Sequence, residues 1–223
     1  MSWSGGISAD SGVNASTTFT PEVDANTLWQ YHVVGYTFPK KGLYRIQLYG
    51  SSGRPSMYTG EEARNAPGRG GYTEYYREFE AGAAAYLGCG AYGACAFIAS
   101  SSTATNVQSL QYIPSTNVYA VAGGGGTGGY LHDTNNRTQD NCVRGNGGAG
   151  GGSSGLAGAN ARDHLGGVGG TQSLGEGYGK AGRGGWGSEP GYYGGGGEGG
   201  DGYYGGKNGT GSSGGGGGSG YPG

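Results

Sequence analysis

Apolar and polar positions alternate most clearly over residues 42–49, Gly-Leu-Tyr-Arg-Ile-Gln-Leu-Tyr. With a strand's two-residue period, Leu43, Arg45, Gln47 and Tyr49 fall on one face, and Tyr44, Ile46 and Leu48 on the other. The second set is the expected core face. The preceding turn is marked by Pro39, which fixes φ, and by Gly42, which tolerates positive φ. Further strands are predicted at 29–37, 72–79, 83–89, 94–100 and 112–122, with Glu80-Ala-Gly82 a turn between two of them. No segment carries a helical period. Strands of this length joined by Gly-containing turns predict an all-β, jelly-roll-like antiparallel sandwich over residues 29–122, with essentially no α-helix.

On either side of that region the pattern changes. Residues 1–28 are small and polar and show no strand or helix period, so they read as an N-terminal arm. From residue 123 onward, runs of Gly alternate with inserts at 130–144, 156–165, 171–180, 186–193 and 201–207. Glycine supplies 59 of the 223 residues, yet only 7 are Pro and the runs are uninterrupted, which excludes a collagen repeat. Nineteen Tyr, three Trp and four Phe are more aromatic residues than a disordered linker holds.

Runs of this kind have a physical solution. Glycine in polyproline II geometry turns once every three residues and makes no internal hydrogen bonds, so each backbone N–H and C=O needs a partner outside its own segment. Segments packed side by side supply those partners, and only Gly lets the backbones approach closely enough. Residues 123–223 are therefore expected to form a polyglycine II helix bundle, with the inserts displayed as loops where the chain turns around.

The net charge of −2 and the singly scattered Lys and Arg give no footprint for nucleic acid. No apolar run reaches the roughly 20 residues of a membrane span, and the N-terminal residues lack a signal-peptide pattern. Three cysteines cannot all pair within one chain. Cys89 and Cys95 are close enough in sequence to pair, but small buried thiols are the favoured reading.

A resemblance rests on an ordered set of segments: Tyr36-Thr-Phe-Pro-Lys-Lys-Gly-Leu-Tyr-Arg-Ile-Gln-Leu-Tyr-Gly50, Gly70-Gly-Tyr-Thr-Glu74, Val121-Ala-Gly-Gly-Gly-Gly126, Gly184-Gly-Trp186 and Gly214-Gly-Gly-Gly-Gly-Ser-Gly-Tyr221. In these the chain resembles, over residues 30–223, the glycine-rich domain of the anaplastic lymphoma kinase ectodomain and its bacterial and phage relatives. The second half is also similar to the polyglycine II tail-fibre adhesins of T-even-like phages. The resemblance implies a jelly-roll sandwich followed by a polyglycine II bundle with variable, ligand-binding distal loops. With three cysteines and no leader pattern, it points to a phage virion protein made in the host cytoplasm. A tail or fibre-tip adhesin for a host surface protein or glycan is the leading expectation. In that reading the arm and sandwich contact other virion subunits, and oligomeric state stays open. The alternatives are a structural virion decoration or assembly subunit without its own ligand, and a bacterial surface or receptor ectodomain.

No enzyme is expected. Gly151-Gly-Ser-Ser-Gly155 matches a nucleophile pattern around Ser153, but that motif has meaning only between a strand and a helix. His32, His132 and His164 are dispersed, and Asp133, Asp140 and Asp163 read as solvated loop residues, so neither metal nor cofactor is expected. The candidate ligand-binding residues are the aromatic ones in the inserts: Trp186, Tyr192, Tyr193, Tyr203 and Tyr204. Tyr130, His132, Asn135, Asn136 and Arg137 in the longest insert come next. Tyr and Trp give rigid amphipathic contact area at low entropy cost, beside Ser, Gly and Asn for adaptable hydrogen bonding. The same rings have a second reading, as covers for the bundle faces in place of a conventional core.

Overall fold

A computed structural model describes residues 5–9, 15–19, 32–54, 66–100, 110–132, 145–161, 164–179, 186–189 and 192–222. Among them the protein is all-β, with no α-helix and two single-turn 3-10 segments, Leu110–Tyr112 and Ser115–Asn117. The strands are β1 (Gly5–Ala9), β2 (Ala15–Phe19), β3 (His32–Thr37), β4 (Gly42–Tyr49), β5 (Tyr72–Phe79), β6 (Ala84–Cys89), β7 (Ala96–Ala99), β8 (Val118–Ala122), β9 (Tyr130–His132), β10 (Trp186–Glu189) and β11 (Tyr192–Gly195). They form sheets ordered β2-β1-β4-β5, β3-β6-β7-β8 and β10-β11-β9, antiparallel throughout.

The first two sheets share a core. Tyr44, Ile46 and Leu48 on β4 are buried as their alternation predicts, facing Leu87 and Cys89 of β6, Ile98 of β7 and Ala120 of β8. Phe38 and Phe79 stack within it at 3.7 Å, and Tyr44 meets Phe38 edge-on at 4.7 Å. Gly82 turns the chain between β5 and β6 at φ +81°, where a side chain would be strained. β8 begins at Val118 rather than near residue 112, because Pro114 and the turn over Ser115–Asn117 occupy the expected first half of that strand.

Two features had no signal in the alternation. Within residues 1–28, β1 and β2 form a hairpin that pairs with the free edge of β4. In the second sheet β7 is also buried on both faces, whereas the edge strand β3 stays partly exposed. Phe97, Ala99, Val118 and Val121 lie on the far side of this sheet under Leu110 and Ile113, with Tyr178, Tyr203 and Tyr221 of the glycine-rich half packed against them. Cys89 and Cys95 are both buried thiols, one in each core. Cys142 lies outside the described residues.

The glycine runs are joined by backbone hydrogen bonds with a step of three. Gly214 and Gly217 donate to Ala159 and Leu156, Gly215 and Gly218 to Thr127 and Gly124, and Gly216 and Ser219 to Lys207 and Tyr204. As the donor advances three residues the acceptor recedes three, so these neighbours run antiparallel. Three parallel neighbours donate back: Gly148 and Gly151 to Gly215 and Gly218, Gly167 and Gly170 to Gly214 and Gly217, and Gly197 and Gly200 to Ser213 and Gly216. The run 213–219 is thus bordered by six other segments.

A Cβ at Gly217 would collide with the carbonyl of Ala149, and one at Gly215 with that of Glu198. That close approach is what these glycines supply. Segments from before residue 123 join the same network. Gly68 and Gly71 donate to Gly126 and Gly123, and Gly125 donates to Ser51. The composition changes at 122/123, but the hydrogen bonding crosses that point.

Candidate functional site

Two adjacent glycine-rich segments lead into the third sheet. Residues 123–129 continue directly into β9, and β11 continues directly into 196–201. The two segments are tied by Thr127 N–H donating to Glu198 and Gly124 N–H donating to Asp201, at 2.8 and 2.7 Å. The last residues before β9 are anchored as well, with Gly129 N–H donating to Gly145 at 2.9 Å. β9 and β11 pair directly, and β10 closes the sheet on the far side of β11.

Register sets which residues share a face. Tyr193 stands opposite His132 on one side and Ser188 on the other, and Gly195 stands opposite both Tyr130 and Trp186. In an antiparallel sheet, facing residues and their i±2 neighbours lie on the same side. Tyr130, His132, Trp186, Ser188 and Tyr193 therefore share one face. Gly195 leaves the middle position between Tyr130 and Trp186 without a side chain. Tyr192 lies on the other face with Leu131 and Glu189.

Five of the ten candidate residues come together in this way: Tyr130, His132, Trp186, Tyr192 and Tyr193. Asn135, Asn136 and Arg137 lie outside the described residues, as do Asp133, Asp140 and Asp163. Ser188 and Glu189 were not singled out in the sequence. The available signal was Pro190-Gly191, a turn dipeptide between two short strands of opposite direction.

Tyr203 and Tyr204 lie elsewhere. Asp201 is bonded beside Gly124, so the pair sits at the opposite end of the 123–129 segment from Tyr130. Tyr203 stacks on Tyr221 at 4.4 Å and meets Tyr178 and Tyr204 edge-on at 5.3 and 5.7 Å. It packs against the far side of the second sheet. Burial is the main cause raising the Tyr203 hydroxyl's pKa, and burial also raises that of Tyr178. Tyr203 thus takes the packing role, joining the glycine-rich half to the sheets. Tyr178 and Tyr221 complete that cluster; as lone tyrosines among glycines they carried no signal separating them from the loop rings.

Ser153 is exposed in a bend between glycine-rich segments, not on a strand-to-helix turn. Among the described residues no group of three His, Cys, Asp or Glu is placed to hold a metal ion. No helix there is long and apolar enough to cross a membrane. Compared with known proteins, the chain matches no protein-family model, no curated protein and no solved structure.

Proposed function

We propose that this protein is a phage tail or fibre-tip adhesin, and that the aromatic face of the β9-β11-β10 sheet is its receptor-binding surface. The observation that carries the reading is the register that puts Tyr130, His132, Trp186 and Tyr193 on one face of a sheet continuous with two hydrogen-bonded glycine segments. The paired four-stranded sheets fit a jelly-roll-like sandwich, and the three-residue hydrogen-bond step fits a polyglycine II bundle. A scaffold already ordered before binding leaves little conformational entropy to lose on contact, and several copies on one particle multiply a modest affinity.

The test is binding of the purified protein to a panel of intact bacterial strains. Wild type is expected to bind at least one strain, and a Tyr130→Ala/Trp186→Ala/Tyr193→Ala variant with unchanged circular dichroism is expected to lose at least tenfold in affinity. Equal binding by that folded variant, or no binding of wild type to any strain, contradicts the reading.

A further inference from the structure

The outer face of the first sheet carries a second aromatic constellation. On β5, Tyr72, Glu74 and Tyr76 alternate outward, opposite Tyr49, Gln47 and Arg45 of β4. Both tyrosine hydroxyls donate to the Glu74 carboxylate at 2.6 Å, Tyr72 to Oε2 and Tyr76 to Oε1. Gln47 Nε2 donates to the Tyr72 hydroxyl at 2.8 Å and to Glu74 Oε2 at 3.2 Å. The rings of Tyr49 and Tyr72 lie 4.9 Å apart. These bonds, led by the one from Tyr72, hold the Glu74 carboxyl below its ordinary pKa, so it is ionised at neutral pH.

The rings remain in contact with water: Tyr49, Tyr72 and Tyr76 are 39%, 43% and 52% exposed. Three half-exposed tyrosines thus cluster about a fixed carboxylate on one sheet face. On the other side of β4, Gly6 of β1 pairs opposite Gln47 and Ser8 opposite Arg45.

We propose that this face is a saccharide-binding site, separate from the β9-β11-β10 sheet. The chemistry on the face selects the ligand class. Glu74 offers acceptor lone pairs, Gln47 offers an amide, and the tyrosine hydroxyls are held in place, which matches the closely spaced donor-acceptor groups of a sugar. The exposed ring faces suit the apolar C–H face of a pyranose. A cation is disfavoured, because the Arg45 side chain stands across from Tyr76 and adjacent to Glu74. A flat protein surface would have to bury the ionised Glu74, which is costly unless donors replace its water. Sugar hydroxyls supply such donors at high density.

The inference does not depend on the adhesin reading, and its test separates the two. Wild type, Tyr72→Ala/Tyr76→Ala, Gln47→Ala and Tyr130→Ala/Trp186→Ala/Tyr193→Ala are passed over immobilised mannan, dextran, cellulose, chitin and bacterial lipopolysaccharide. Wild type and the triple variant are expected to be retained on at least one of these. The tyrosine double variant is expected to lose at least tenfold in affinity, and Gln47→Ala to lose severalfold. Circular dichroism monitors the fold, and if the double variant unfolds, Gln47→Ala alone decides. The proposal is overturned by any of three results: no retention of wild type on any of the five, retention unchanged in the folded sheet variants, or loss confined to the triple variant.

Discussion

The paired sheets and the glycine-rich segments are two answers to one problem, the satisfaction of buried backbone without exposing apolar surface. In the sheets, backbone bonding is local to each ladder and the ordering comes from side chains: Phe38, Ile46, Phe97 and Ile98 are fully buried. Around residues 213–219 the only side chains are the buried hydroxyls of Ser213 and Ser219, which bond to the Leu165 and Thr171 carbonyls, and the five glycines between them meet their neighbours through backbone donors and acceptors. A side-chain core tolerates some repacking, because rings and methyl groups can shift. A backbone core has nothing to repack: a single Cβ meets a carbonyl that is itself fixed by a hydrogen bond. The two meet at the Tyr178, Tyr203 and Tyr221 cluster, where side chains of the glycine-rich half cover the second sheet.

The largest effect should follow from Gly217→Val. Its side chain would be forced into the Ala149 carbonyl and the segments packed beside it, and the loss should exceed about 4 kcal/mol, where only disruptive substitutions fall. Urea unfolding gives the value, and limited proteolysis should show cleavage concentrated after residue 123. Phe38→Ala removes the ring between Phe79 and Tyr44 and should cost about 3–5 kcal/mol, as large-to-small core changes do. Here proteolysis should open the sheets first.

Alkaline pH acts on titratable side chains and leaves the glycine backbone bonds untouched. Burial pushes the Cys89 thiol from 9.0 up to about 12. Its folded-state pKa is raised, so its full stabilising effect holds below pH 9 and is lost as pH rises toward 12. Thermal midpoints should fall across that window, and less so in Cys89→Ala. The smallest effect is expected for Tyr178→Phe. Among the described residues the buried Tyr178 hydroxyl has no hydrogen-bond partner, so its removal should be neutral or stabilising by up to about 1–3 kcal/mol.

How much of this was legible depended on which force set the structure. Side-chain periodicity made β4, β5 and β6 readable, and β5 spans the same residues, 72–79, that alternation predicted. The hairpin of β1 and β2 was not readable, because its small polar residues carry no burial pattern and its place is set by pairing with β4. The glycine runs announced close backbone packing. They did not reveal that 213–219 is bordered by six segments, since every run offers the same donors and acceptors. The aromatic pairs show the same limit: Tyr192-Tyr193 and Tyr203-Tyr204 are both Tyr-Tyr flanked by Gly, yet one lies on a sheet beyond residue 129 and the other in the cluster with Tyr221. The tyrosines around Glu74 were visible as a strand face, but their hydroxyl network depends on rotamers that periodicity does not carry.

Hydrogen exchange followed by mass spectrometry tests the backbone core most directly. Peptides covering residues 213–219 should exchange as slowly as those covering β4 and β6, because each amide there donates a backbone hydrogen bond. Exchange of that segment at the rate of an open glycine linker, with β4 and β6 still protected, would contradict the account.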